Sequence, residues 1–236
     1  MTLGEELSAK IKKLYQTGEA SSRDLNTILA KIEKGGGTYI DAHDYAYLAG
    51  KMLSDIFGRT ITVDVLPNGQ LDVADAGKII SDALRMNFDD VSGTTAQIQR
   101  NLNQAAGLDL DPVLPRINTA RVRGMTTLAS SGPVDQIMDE LMEALTTFSQ
   151  HIVDDELKAN ADAHYKAGFT PKIIRKAEAG CCKWCSALAG EYDYPVKNQD
   201  IFRRHQRCRC VTDYNPGDGI NHWQNVWNQS QWREFD

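Results

Sequence analysis

All five cysteines of this 236-residue chain fall between positions 181 and 210, and none precedes them. Cys182-Lys183-Trp184-Cys185 is a C-x2-C turn, and His205-Gln206-Arg207-Cys208-Arg209-Cys210 holds an H-x2-C with one more cysteine two residues on. A C-x2-C turn brings two thiolates to one point, and a second pair close in space completes a tetrahedron around Zn²⁺. The leading metal set is therefore Cys182, Cys185, His205 and Cys208. Cys210 is the substitute, because alternate residues on an extended strand face the same way. Cys181 is the odd member, since it competes with Cys182 for the same turn. Four nitrogen and sulfur donors close the shell, which makes such a site structural, whereas a catalytic zinc keeps one position for water. Three readings stand side by side: a structural metal, zinc by ligand softness; thiols that pack together or oxidise to disulfides; and a reactive site.

The same segment carries its own charge. From 172 to 210 there are nine Lys or Arg and four acids, so this stretch is +5 while the whole chain is −6, which leaves −11 for the rest. An acidic chain argues against a nucleic-acid-binding surface overall. The local excess marks a separate C-terminal module, giving two regions: 1–168, mainly helical, and 169–236, rich in Cys and His with a Trp-containing tail. A chain of this length buries about 70% of its unfolded surface, so a core does not itself demand a metal. No run approaches the ~20 apolar residues of a membrane span, and the first residues lack a secretory pattern, so the expectation is a reducing cytosol and no membrane partner.

Before the cysteines the apolar residues recur at helical spacing. Leu3, Leu7, Ile11 and Leu14 share one face; after a break at Gly18, Ser21 or Ser22 caps a second helix with Leu25, Ile28, Leu29 and Ile32 buried. A third runs from about 41 to 57 and ends before Thr60-Ile61-Thr62-Val63-Asp64-Val65-Leu66, a near-alternating run that with Pro67-Asn68-Gly69 predicts a short β-hairpin. Further helices are predicted over about 72–87, 94–106, 117–128 and 134–165, the last roughly 48 Å long if unbroken. From 169 the texture shifts to strands, at 172–175 and 208–212. The fold class is mainly α, with the hairpin, followed by a small α+β Cys/His module.

The run Gly180-Cys181-Cys182-Lys183-Trp184-Cys185, Leu188-Ala189-Gly190-Glu191-Tyr192, Phe202-Arg203-Arg204-His205 and Cys208-Arg209-Cys210 resembles the C-terminal signature of the phage Mu F-like minor head proteins, from about Phe169 to Tyr214. Gln206 departs from the proline frequent in that family. The resemblance implies a structural minor head (capsid) protein of a tailed bacteriophage. Such a protein sits in the virion at the head interior or portal vertex, and in host cytoplasm during assembly. Its partners are the portal and other head proteins, and it acts in head assembly or DNA delivery. A rigid knob would present Lys183, Arg203, Arg204, Arg207 and Arg209 as a candidate surface for an anionic partner, DNA or acidic protein, against the plainer reading of a solvated basic face.

Enzyme signatures are weak. There is no H-E-x-x-H, G-x-S-x-G or P-loop pattern, and the zinc-deaminase H-x-E is missing. The runner-up is a metal-dependent nuclease or toxin-like effector using His205 with Asn221-His222. Trp223, Trp227 and Trp232 in the tail either dock on a partner or fold back over the module.

Overall fold

The computed structural model describes residues 2–217. Seven α-helices and a three-stranded antiparallel sheet make up these residues: α1 Leu3–Ser21, α2 Arg23–Glu33, α3 Tyr39–Thr60, α4 Val73–Ala105, α5 Thr119–Ala129, α6 Val134–Lys166, β1 Lys172–Lys176, α7 Lys183–Ala187, β2 Gly190–Asp193 and β3 Val211–Asn215. The protein is mainly α with a small C-terminal α+β part, as its periodicity predicts.

Local chemistry explains the helix boundaries. Thr2 and Thr38 each cap a helix reciprocally with an acid three residues on, Glu5 and Asp41. Ser22 caps α2 by accepting the amide of Leu25. Gly18 does not break α1. It sits inside the helix where α1 approaches α3, and a Cβ there would lie 2.7 Å from Met52 Sδ. The two helices predicted over 72–87 and 94–106 are one helix, α4, because Ser92 and Gly93 are tolerated mid-helix and Ser92 turns its hydroxyl to Glu156 on α6. The helices α3 and α6 cross at Gly50, where a Cβ would meet Ser149 Oγ at 2.6 Å and Thr146 Cα at 3.0 Å. Only glycine permits that approach.

The hairpin predicted between 59 and 71 does not form. α3 continues to Thr60, and a 3-10 turn occupies Pro67–Gly69, with Asn68 and Gly69 both at positive φ (56° and 70°). The buried side chains are Ile61, Leu66 and Leu71, while Val63 and Val65 are exposed. This anchoring steps by five residues, whereas a strand buries alternate ones, and a two-stranded ribbon without a third strand gains too little to form in water.

The sheet has the order β2-β1-β3, so β1 is central. Its register sets Ile173 against both Tyr192 and Tyr214, and Arg175 against Gly190 and Thr212. Alternation puts Ile173 and Arg175 on one buried face. Ile173, Ile201, Phe202 and Tyr214 join the same apolar core as the helices, while Cys185, Cys208 and Cys210 form a small cluster of their own. The last strand begins at Val211, three residues later than predicted, because Cys208 closes the turn that carries His205 and residues 208–210 lead from that turn into the strand. The Cys208 amide donates to the His205 carbonyl, and Arg207 adopts φ 59°.

Polar groups dock the sheet on the helices. The Tyr214 hydroxyl donates to Gln99 Oε1 of α4 at 2.7 Å, and Tyr39 of α3 donates to the same oxygen at 2.6 Å. The two rings meet edge to face at 5.4 Å. No helix among the described residues is long and apolar enough to cross a membrane.

Candidate metal centre

Two turns build the site. After the Ala179-Gly180 turn, with Gly180 at φ 75°, Cys182 caps α7 and its Sγ accepts the Cys185 amide at 3.4 Å. That N–H···S bond closes the C-x2-C turn and points both sulfurs to one side. The second turn, 205–208, delivers His205. Its Nδ1 faces the Gln206 carbonyl at 2.5 Å, and a hydrogen on Nδ1 leaves the Nε2 lone pair facing the sulfurs of Cys182 (3.3 Å) and Cys185 (3.2 Å). A zinc-bound histidine commonly donates its other ring N–H to a backbone carbonyl in this way, which fixes the tautomer and the ring's orientation.

The donors form two groups of three that share Cys185: Cys182, Cys185 and His205, and Cys185, Cys208 and Cys210. Within each group the ligand atoms all lie within 4.8 Å of one another. Cys185 and Cys208 sulfurs are 3.6 Å apart. Tetrahedral zinc with bonds of about 2.3 Å to sulfur spaces two sulfurs about 3.8 Å apart, whereas a disulfide needs about 2.05 Å. All five cysteines are free thiols. The donor set thus fits a metal. Cys208, 3.6 Å from Cys185, is taken as the fourth member, and Cys210, also buried, sits in the same group against both Cys185 and Cys208.

At Cys185 and Cys208 the pKa shifts run against nucleophilic attack. Burial pushes the Cys185 thiol up to about 11, and a hydrogen bond with Cys210, helped by burial, raises Cys208. A nucleophilic cysteine needs the opposite shift. Cys182, exposed, is lowered by the Cys185 amide, and Cys210 is lowered by its bond with Cys208. A low thiol pKa at Cys182 suits ligation as well as reactivity.

The five cations predicted to share one anionic-partner surface are in four different situations. Lys183 is exposed. Arg203 pairs with Asp200 at 3.0 Å, and Arg207 pairs with Glu143 of α6. Arg209 lies 4.4 Å over the Tyr47 ring. Arg204 is not on the surface at all. It is buried between α3 and α6, donating through Nε and Nη2 to Asp154, through Nη2 to His43 Nδ1 at 3.0 Å, and through Nη1 to the Cys210 carbonyl. With Nδ1 accepting from Arg204, His43 carries its hydrogen on Nε2 and donates to the Thr212 carbonyl at 3.0 Å. Burial and the Arg204 charge hold His43 down to about 3, so it is neutral. This network bolts the ligand turn to the helices, one residue before His205.

Sequence reasoning missed Arg175, Asp154, His43 and Thr212. The signal for Arg175 was the strand alternation that sets it on the face of Ile173, and for Asp154 a carboxylate beside the buried pair Ile152 and Val153. Asn221, His222 and the three tail tryptophans lie outside the described residues. Comparison with protein-family models, with curated proteins and with solved structures gave no match to this chain.

Proposed function

We propose that this chain is a structural minor head protein of a tailed bacteriophage, placed at the portal vertex, and that its two cysteine turns hold one zinc ion as a clamp. The observation that carries the reading is the convergence of His205 Nε2 with the sulfurs of Cys182 and Cys185, at 3.2–3.3 Å, on the turns that carry the likeness to the Mu F-like proteins. Bound zinc would supply cross-linking of two turns that share little apolar material; the residues of the chain do the rest. Cys182 and Cys185 hold the first turn, His205 and Cys208 the second, and Arg204 fastens that second turn to Asp154. The nuclease reading is weaker, because His205 presents its free nitrogen to two sulfurs and so has none to spare for water. With Arg203 and Arg207 already paired to carboxylates and Arg204 interior, a head protein is favoured over DNA as the partner.

The test is fractionation of phage-producing cells. The chain is expected to co-sediment with purified virions and to co-purify with the portal protein; recovery only in the soluble fraction would overturn the assignment. Divalent-metal-dependent nicking of plasmid DNA, abolished by His205→Ala, would support the nuclease instead.

A further inference from the structure

Arg175 fills a core position. It sits on the inner face of the central strand, 1% exposed, and a guanidinium cannot discharge itself by losing a proton. Its hydrogen-bond partners are the carbonyls of Ile201 and of Arg203, the latter at 3.0 Å, and the sulfurs of Cys185 and Cys208, both 4.0 Å from Nη2. Nε has no partner, and the Trp184 ring lies 5.8 Å from the guanidinium carbon. No carboxylate is among these partners. Arg204, the other buried arginine among the described residues, has Asp154. A buried cation facing only neutral groups is among the most costly arrangements a fold can hold, so an anion must meet it. The groups in place to supply one are the two sulfurs.

Resting on the zinc reading above, we infer that Arg175 is the counter-charge of the metal centre and fixes its ligand set at three thiolates and one neutral imidazole. A divalent ion with thiolates from Cys182, Cys185 and Cys208 and the neutral ring of His205 carries one net negative charge, which Arg175 cancels. Two thiolates would leave the guanidinium unmatched, and four would leave an excess negative charge. Cys210 therefore stays outside the shell. A monovalent soft ion such as Cu⁺ would make the same shell doubly negative, so the pairing also selects for a divalent ion. The arginine acts as a positioning residue, because it holds the carbonyls of Ile201 and Arg203, in the segment leading to His205, while facing sulfurs from both turns.

The full chain, reduced and stripped of metal, is titrated with Co²⁺, whose thiolate charge-transfer intensity counts the sulfur ligands, and its Zn²⁺ affinity is measured against a chromophoric chelator. Three thiolates are expected in the wild type, unchanged in Cys210→Ser. Arg175→Met is expected to weaken Zn²⁺ binding roughly 10–100-fold, the range for loss of an outer-shell partner, and Arg175→Lys to keep most of it. Cys182→His removes one negative charge. It should weaken binding in the wild type yet restore affinity when combined with Arg175→Met, a reversal that simple loss of packing does not produce. If Arg175→Met does not fold, the thiolate count and Arg175→Lys still decide. A count other than three, or an Arg175→Met chain that binds Zn²⁺ as tightly as wild type, overturns the inference while leaving a metal site in place. A wild type that binds neither ion removes both.

Discussion

Replacing Asp154 by asparagine is expected to cost the folded chain about 3–5 kcal/mol at pH 7, read as a shift of the denaturant midpoint. The size follows from what is left behind. Asp154 is fully buried on α6 and accepts from Arg204 through both oxygens and from the Thr212 hydroxyl. Asparagine keeps the shape but strands a buried guanidinium. Burial alone would raise the Asp154 pKa; the adjacent Arg204 charge overcomes it and holds the carboxyl well below the usual carboxylate range. A depressed folded-state pKa contributes stability that is present above the unfolded value of about 3.9 and is lost only as pH falls through the lower folded value. The pair should therefore persist through mild acid. Changing both partners to apolar residues, Asp154→Leu with Arg204→Met, should recover much of the loss, because the penalty belongs to the unpaired charge. If the single variant instead lies within 0.5 kcal/mol of wild type, roughly the range of surface substitutions, the bolt between ligand turn and helices is not there.

Glu156→Gln should act the other way and stabilise the protein, by about 4 kcal/mol at neutral pH and about 5 kcal/mol at alkaline pH. Glu156 is buried on α6; one oxygen accepts from Ser92 at 3.0 Å and the other has no partner. Burial pushes its pKa up to about 8. Because the folded value is raised, the unfolded chain ionises this group first. Stability is full below the unfolded value of about 4.3, declines as pH rises towards 8, and is level beyond. Glutamine keeps the Ser92 bond and has no charge to bury, so the variant's stability should no longer fall over that window through this group. The difference between the two chains should be small at pH 4 and largest near pH 8. Equal differences at both pH values would show that the carboxyl titrates in the fold as it does in the unfolded chain, and so is not held protonated by burial.

These two carboxylates mark where the sequence could and could not be read. The long periodic run over 134–165 predicts α6 almost residue for residue, because burial of Leu141, Leu145, Phe148 and Ile152 has the helical period. Asp154 and Glu156 on that helix look like ordinary solvated acids until Arg204 and Ser92 arrive from elements 50 and 64 residues away. Arg204 failed for the same reason. In sequence it belongs to a basic run, and only packing shows that it faces inward while Arg203 and Arg207 face out. The C-x2-C and H-x2-C turns were legible because the chemistry is local: each turn sets its own donors. The convergence of the two turns was not local, and it depends on β1 and β3 pairing across some forty residues. The absent hairpin is the converse case, where local β propensity at Thr60–Leu66 lost to anchoring of Ile61, Leu66 and Leu71 in the helical core.

Elemental analysis of the full chain, purified under reducing conditions with no metal added and with its thiols counted in parallel, bears most directly on the clamp. One zinc per chain is the predicted result, with thiols at Cys182, Cys185 and Cys208 becoming reactive only after a chelator removes the ion. Metal-free protein with all five thiols open to titration, and no change in its unfolding when zinc is supplied, would contradict it.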